Sequence, residues 1–556
     1  MGWAIRVRDI VKKPYAIIFS TLLWIILGLY LLGGLKINGK LRLTYLHDLW
    51  VLCGLLYIFG RSFGLVKFRE TSLGKYFIAA LEAAVVVFQQ RSIKPLKNLN
   101  RGSWVLFITL LYSLGLFIVL PILNYRAFQT EIFDLGVFIN VIYSKIVSGR
   151  FETFYMSLDG LEPLTYFPGT RMNFYLYLFS ALFRVLPYAE VFLFLQSAAL
   201  LLALIPLYKL GDLILPASVP RWMPLLLFLL WDPVYRSNVW DIHEQPFMVG
   251  FALWALYYIE KRRVTLSVIF MALMAMWRDD GWWTFAGLAL YLGVRTKKWL
   301  VAIPLFLVGA VYLPIQISFL NRVNTIGQLY PYLGPSLKTA VERLIDNPFI
   351  FLEVAWGNRS YFLHLILSSG GLFLFGGWAI LPVIPILALV GLSQHEGLLN
   401  WLNHYHLGYF GPLLFATLIG IRNLDGLLNR FRSSRPSINA VIACCLAVGL
   451  TQLSYNMSGA LSMARERYKD TRCLETLLEK IPPRVPTLAE SVIAARISDR
   501  HYIMRPSVDP DQTKAEYLVA FDKATMKAGI KGKYPVKPWK IIFENCGAFV
   551  AKREGS

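Results

Sequence analysis

The first candidate for chemistry is one carboxylate, Asp134, within the stretch Thr130-Glu131-Ile132-Phe133-Asp134-Leu135-Gly136. It stands between apolar residues, shortly after an apolar segment that ends near residue 124. A partly solvated carboxylate has a pKa that its surroundings can tune, which suits a general base or a group that stabilises charge. A helix cap or an ordinary surface carboxylate is the alternative, and spacing alone favours it.

A denser cluster consists of Asp241, His243 and Glu244, with Arg236 before it and an apolar helix directly after it. Ionisable groups at the entrance of a membrane helix are costly unless they pair or serve a site. The cluster lacks the i, i+4 His pair of a helical zinc site, so no metal ligands are assigned. Helix capping by Asp241 and Glu244 is an equally weighted alternative.

Two further motifs interrupt apolar segments. Arg278-Asp279-Asp280 is either a solvated turn before Gly281 or part of a site, and the tryptophans around it indicate an interfacial belt or a sugar-stacking surface. His404 and Tyr405 are either interface residues or donors to an anionic ligand.

The elements that carry these motifs belong to a membrane protein. The chain has 556 residues, of which 56% are hydrophobic and only 16% charged, and its net charge is +22. This composition excludes disorder, a collagen-like fibre and an ordinary cytosolic enzyme. We predict a polytopic α-helical protein with about 11–13 transmembrane helices. The predicted spans lie near 14–35, 45–65, 104–124, 189–208, 222–237, 246–260, 264–277, 282–294, 299–319, 361–377, 378–393, 407–422 and 437–455.

Short basic connectors predict the orientation of these spans. Those at 260–263, 295–298 and 429–432 are placed in the cytoplasm, as is the N-terminus. The surplus of positive charge is therefore read as a topology signal, and nucleic acid is not expected as a partner. Counting outward from the connectors puts all the motifs above on the outer face of the cell membrane. If the short apolar segment 172–187 crossed the membrane, the N-terminal basic segments and the later basic connectors would fall on opposite faces. We therefore expect this segment to be re-entrant or interfacial.

The C-terminal region changes character. A helix near 470–480 and β-like runs at 517–521, 540–543 and 549–551 predict a small α/β domain on the outer face. We divide the chain into N-terminal extra helices (1–100), a transmembrane core (101–458) and this outer domain (459–556). Cys473 and Cys546 are either a disulfide pair or two unrelated thiols.

The order of the motifs, from Asp134 through Asp241, Arg278-Asp279-Asp280 and His404-Tyr405 to the outer domain, resembles a family of predicted prokaryotic membrane proteins classified as a domain of unknown function. That family is similar to the C-type (GT-C) membrane glycosyltransferases, which take sugars from polyprenyl-phosphate carriers. The resemblance covers roughly residues 104 to 525 and implies a GT-C-like core. Where the family usually has a His, this chain has Arg171.

The resemblance implies that Asp134 deprotonates or orients the acceptor. Asp241, or Asp279 with Asp280, would complete the catalytic carboxylates. Substrate-binding groups would come from Arg171, Arg236, His243, Glu244, Arg278, His404 and Tyr405. The cations among them would stabilise the negative charge that grows on the departing phosphate.

The predicted activity is sugar transfer from a polyprenyl-phosphate donor to an unidentified acceptor at the outer face. No cofactor is assigned, and the sequence leaves open whether a divalent metal is required. A transporter or flippase is the first alternative, and it would need ionisable residues near the bilayer midplane and matched broken helices. A catalytically inactive scaffold is the second, and the absence of an outer-face cavity reaching from Asp134 toward Asp241 and Asp279 would favour it.

Overall fold

A computed structural model describes residues 115–157, 162–167, 173–320, 328–400, 403–428, 471–504, 514–521, 539–545 and 547–554. The predicted spans before residue 115 and the one at 437–455 lie outside these residues, as does the whole segment 1–100.

The described core is helical, as the apolar segments predict. Its first part contains α1 (Leu120–Arg126), α2 (Val137–Ser148), α3 (Tyr175–Val185), α4 (Ala189–Leu202), α5 (Leu204–Ile214), α6 (Met223–Leu230), α7 (Asp232–Trp240), α8 (Gln245–Glu260), α9 (Val264–Ala275), α10 (Gly281–Thr296) and α11 (Trp299–Leu320). The second part contains α12 (Leu337–Asp346), α13 (Ile350–Gly357), α14 (Arg359–Ser368), a 3-10 segment (Leu372–Ile380), α15 (Ile384–Gly391), α16 (Glu396–Leu399) and α17 (Leu407–Leu428).

Two helices among the described residues are long and apolar enough to cross a membrane. They are Ala189–Ile214, which joins α4 and α5, and His404–Leu427. The 3-10 segment Leu372–Ile380 and α15 meet at 119° and add a third span if they act together. The total of about 11–13 spans therefore stays a prediction for the whole chain. The helix within 172–187 has 11 residues, too short to span a bilayer unaided.

The structure breaks some segments that hydropathy alone predicts as single spans. The segment 222–237 becomes α6 and α7, because Trp231 between them has an extended backbone and a proline follows at the start of α7. The predicted span 361–377 is interrupted between Ser368 and Leu372, whereas the kink at Gly377, whose φ of 58° suits glycine, falls at the predicted boundary between 361–377 and 378–393. Apolar run length carries no information about such breaks.

The C-terminal region forms one five-stranded sheet. Two short strands earlier in the chain, β1 (Glu152–Thr153) and β2 (Leu164–Thr165), form a separate antiparallel pair. The strands of the five-stranded sheet are β3 (Thr487–Ala489), β4 (Ile503–Met504), β5 (Tyr517–Phe521), β6 (Trp539–Asn545) and β7 (Ala548–Arg553). The spatial order is β4-β3-β5-β7-β6, and the first three strands in that order are parallel while the others pair antiparallel. Two helices, α18 (471–478) and α19 (Ser491–Arg496), complete the domain. The predicted small α/β domain is confirmed, although β3 and β4 were not predicted.

This domain packs on the segment that follows the first span. A π-helical turn, Ile132–Gly136, lies against α19, where the backbone N–H of Ile132 donates to the Ser491 hydroxyl at 3.4 Å. Asn140 of α2 donates to the carbonyl oxygen of Arg500, and the Ser144 hydroxyl lies 3.2 Å from Nδ1 of His501. The two regions share one hydrophobic cluster. The domain therefore supports the turn that carries Asp134.

Gly136 allows the closest approach between the turn and the domain. A Cβ built there would lie 3.1 Å from Cα of Ala495 and would overlap the side chain of Ile132. We expect Gly136→Val to destabilise the docked domain by about 1–3 kcal/mol, because backbone atoms at this contact cannot move independently. Thermal unfolding and limited proteolysis that releases the C-terminal domain measure the effect. Gly357→Val is the control, since a Cβ at Gly357 meets no atom within 4 Å. Equal stability of the two variants would contradict tight docking.

Cys473 is disulfide-bonded, whereas Cys546 lies outside the described residues. The helix that carries Cys473 packs toward the end of β6, because the ammonium group of Lys480 lies 5.4 Å from the ring centre of Phe543. We therefore predict that Cys473 pairs with Cys546. Proteolysis without reductant, followed by mass spectrometry, should give a linked pair of peptides that separates on reduction. A linkage of Cys473 to any other cysteine would contradict this pairing.

Candidate functional site

A narrow cleft of about 70 Å³ lies where the predicted motifs meet. The predicted site residues in its lining are Asp134, His243, Glu244, Arg278, His404 and Tyr405. Aromatic residues form the rest of the wall: Phe133, Phe138, Tyr166, Tyr175, Phe179 and Phe247, together with Ile242. Residues separated by more than 250 positions in sequence are thus assembled in one place.

Asp134 is the most accessible carboxylate of the cleft. Its side chain is 33% exposed, and its Oδ1 lies 3.9 Å from Nδ1 of His243. The His243 side chain is only 3% exposed, and its ring stacks on that of His404 with centroids 3.6 Å apart. The carboxylate and two imidazoles therefore form a continuous polar edge that can accept or donate protons.

Arg278 is held between two carboxylates. Its Nη1 lies 3.5 Å from Oε2 of Glu244, and its Nε lies 3.4 Å from Oδ2 of Asp280. The guanidinium group also covers the ring of Tyr405 at 5.2 Å. All three residues of the 278–280 motif are buried, so the solvated-turn alternative is wrong. A buried guanidinium needs such counter-charges, and together they fix its position in the cleft wall.

Glu244 does not cap the helix that follows it. No side-chain cap bond is present at the start of α8. Its Oε1 instead accepts hydrogen bonds from Asn173 Nδ2 and the Tyr175 hydroxyl, both at 3.0 Å. The capping alternative for Glu244 is therefore wrong, because these contacts and Arg278 hold the carboxylate in the cleft.

Asp241 lies beneath the cleft rather than in its lining. It is fully buried, and its carboxylate accepts hydrogen bonds from the backbone N–H groups of Ile242 at 2.8 Å and Glu131 at 3.3 Å. Burial, and secondarily the nearby charge of Asp134, raises the pKa of Asp241 well above its ordinary value. Asp241 therefore joins the 241–243 loop to the loop that presents Asp134. No side-chain cap bond is present at the start of α8, so the capping alternative is also wrong for Asp241.

Three of the remaining predicted residues, Asp279, Asp280 and Arg236, are absent from the cleft lining. Asp279 is buried and accepts a hydrogen bond from the Tyr312 hydroxyl at 3.3 Å, while Asp280 contacts Arg278, which does line the cleft. Arg236 is partly buried on α7, which packs against the 404–406 turn. Arg171 lies outside the described residues.

Gln196 is a positioning residue that the motifs did not identify. It lies on α4 and is fully buried. Its Nε2 donates to the carbonyl oxygen of Asp241 at 2.9 Å, and its Oε1 accepts from the backbone N–H of His243 at 2.6 Å. One feature of the sequence could have identified Gln196: its amide lies in the middle of an apolar segment. A buried amide at such a position is costly unless it forms hydrogen bonds.

A divalent metal finds no complete ligand set in the described ranges. They contain no group of three His, Cys, Asp or Glu side chains that could hold an ion. No step of the proposed chemistry is therefore assigned to a metal.

The fold and cleft define a helical membrane protein with a polar site beside a small α/β domain. The family model for a predicted membrane protein (DUF2079) matches residues 124–525, so the chain belongs to this family, as its motif order predicts. No curated protein matches the sequence.

Three solved structures resemble the chain at low identity. ArnT from Cupriavidus metallidurans bound to undecaprenyl phosphate has a TM-score of 0.47 at 11% identity, covering 82% of this chain and 99% of that chain. The apo state of the same protein has a TM-score of 0.40 at 13% identity, covering 81% and 98%. The Archaeoglobus fulgidus oligosaccharyltransferase has a TM-score of 0.37 at 12% identity, covering 75% and 69%.

The raised pKa of Asp241 predicts a pH-dependent contribution to stability. The folded protein keeps a proton on Asp241 at pH values where the unfolded chain has lost it, so this contribution falls as pH rises above 3.8 toward the raised folded pKa. We expect Asp241→Asn to remove this slope and to cost about 1–3 kcal/mol, because an amide NH₂ would face a backbone N–H. Thermal unfolding from pH 5 to pH 8 measures both effects. Asp212→Asn is the control, since that carboxylate is 67% exposed. If Asp241→Asn keeps the wild-type pH dependence, Asp241 is not the responsible group.

Proposed function

We propose that this chain is a membrane glycosyltransferase that moves a sugar from a polyprenyl-phosphate donor to an acceptor at the outer face of the membrane. The observation that carries the proposal is the shared cleft, in which the accessible carboxylate of Asp134 lies beside His243, His404 and Arg278. A general base and a set of cationic donors are the two components that this reaction needs.

In the proposed reaction, the acceptor attacks the anomeric carbon of the sugar while Asp134 takes the acceptor's proton. The bond between the anomeric carbon and the phosphate oxygen breaks, and its electron pair leaves with the lipid phosphate. Negative charge thus grows on the phosphate, where Arg278 and the imidazoles would stabilise it. Glu244 and Asp280 would keep the guanidinium in place during this step.

The ends of three helices give further support. The 243–244 motif directly precedes α8, the 278–280 motif precedes α10, and the 404–406 turn leads into α17. Helix N-termini carry partial positive charge and free backbone N–H groups, which favour a phosphate nearby. The aromatic wall offers apolar surface for a sugar ring or the first part of a prenyl chain.

Asp241, Asp279, Arg236 and Arg171 receive different roles in this proposal. Asp241 positions the Asp134 loop, and Asp279 braces α11 through Tyr312. Arg236 stays a candidate phosphate or sugar contact on the helix that packs against the 404–406 turn, and Arg171, which lies outside the described residues, stays one as well.

The test is sugar transfer by the purified, reconstituted full chain, with a panel of polyprenyl-phosphate sugars as donors. We expect Asp134→Asn to lower kcat by about 100-fold or more, because the amide cannot accept the proton. Glu131→Gln is the matched control, since Glu131 is an exposed carboxylate on the same loop and contributes its backbone N–H, not its side chain, to Asp241.

Full activity of Asp134→Asn would eliminate Asp134 as the base. Movement of an intact lipid or solute across the bilayer, without sugar transfer, would favour the transporter alternative instead. Binding of the lipid phosphate without either activity would favour an inactive scaffold.

A further inference from the structure

A second cavity lies far from the cleft, between α5 and the end of α8. It encloses about 580 Å³, within the usual range for a small-molecule site. Its lining combines the apolar side chains of Leu204, Ile205 and Leu213 with Lys209 and Lys261, whose ammonium groups lie near the Tyr257 ring. The cavity combines an apolar wall with a localised positive charge.

Among the described residues, the one carboxylate in the lining of this cavity, Asp212, does not neutralise the two lysines. Asp212 is in the lining, but its Oδ1 lies 3.4 Å from Nε of Arg221. Arg221 is fixed in turn by a 2.7 Å hydrogen bond from its Nη1 to the carbonyl oxygen of Leu215. Neither Lys209 nor Lys261 forms an ion pair within the described part of the chain, and each ammonium group lies 5.9 Å from the ring centre of Tyr257.

The two cavities lie at opposite ends of the same helix. Gln245 begins α8 at the cleft, and Tyr257 and Lys261 are near its other end. A helix of this length rises about 24 Å, which approaches the thickness of the hydrocarbon core. The lysines therefore lie at the headgroup level of the leaflet opposite the cleft. Ile205 and Tyr208 are 48% and 46% exposed and extend the apolar surface from there toward the middle of the bilayer.

We propose that the cavity between α5 and α8 binds an anionic glycerophospholipid of the leaflet opposite the cleft. Lys209 and Lys261 contact the phosphate, and an acyl chain lies along Leu204, Ile205 and Leu213. Charge complementarity selects this occupant, because a basic pocket between membrane helices with an apolar extension matches an anionic headgroup and its chain. The Tyr257 ring packs beside both ammonium groups and limits their movement.

The test uses the full chain in nanodiscs of phosphatidylcholine with an increasing fraction of phosphatidylglycerol. Native mass spectrometry counts the lipids that stay bound, and thermal unfolding reports the stabilisation. We expect the wild type to retain phosphatidylglycerol selectively. The variant Lys209→Ser/Lys261→Ser should bind phosphatidylglycerol about 30-fold more weakly, because each lysine near an anionic headgroup strengthens binding about fivefold.

Two further variants separate the cavity from general surface charge. Lys209→Arg/Lys261→Arg should keep the binding, because the charge is retained. Lys297→Asn/Lys298→Ser removes two charges at the same end of the helices but outside the cavity, and asparagine tolerates the left-handed backbone at position 297. This control should bind phosphatidylglycerol as the wild type does.

Three results would overturn the proposal. One is equal retention of phosphatidylcholine and phosphatidylglycerol, and another is an equal loss in the Lys297→Asn/Lys298→Ser control or in the arginine variant. The third is capture of residues 1–114, instead of lipid, by a photo-crosslinking amino acid placed at Tyr208. Sugar transfer is not a readout here, so failure of the lipid site and failure of the proposed glycosyltransferase activity are distinguishable.

Discussion

The buried carboxylate of Asp241 is the constraint on which the arrangement of the cleft depends. A buried carboxylate is costly unless hydrogen bonds compensate it, and backbone N–H groups of Glu131, Leu135 and Ile242 offset part of the cost of burial, which still raises the pKa of Asp241. Those donors come from two loops separated by more than 100 residues. The hydrogen bonds to Asp241 therefore fix the distance between the loop that presents Asp134 and the loop that presents His243. Gln196 secures the second loop from below through both atoms of its amide group.

The charged side chains of the cleft wall are also arranged so that opposite charges lie next to each other. Arg278 lies between Glu244 and Asp280, and the hydroxyl of Tyr175 takes up part of the remaining hydrogen-bonding capacity of Glu244. Removing one member would leave an uncompensated buried charge, so the set behaves as a unit. The C-terminal domain supports the opposite side of the cleft, because α19 packs against the turn that carries Asp134. A membrane core and a small α/β domain thus jointly position one accessible carboxylate.

Much of the fold was predictable because it depends on local patterns. Apolar run length predicted α8, α10 and the start of α17 closely, although α17 continues beyond the predicted end at 422, and the β-like runs predicted β5, β6 and β7. The break at Trp231 was missed, because it depends on backbone geometry that hydropathy does not record, whereas the kink at Gly377 coincides with the predicted boundary between two spans. The short strands β3 and β4 were missed because two or three residues carry too little alternation.

The sequence by itself determined which ionisable residues could form a site. It also determined that these residues lie at the ends of apolar helices. It could not determine which carboxylate faces the cleft. Asp134 and Asp241 have the same side chain, yet one is 33% exposed and the other fully buried. Only the tertiary structure decided this difference, because burial depends on which distant segments pack around each residue. The same packing shifts the pKa of Asp241 and leaves Asp134 accessible to a substrate.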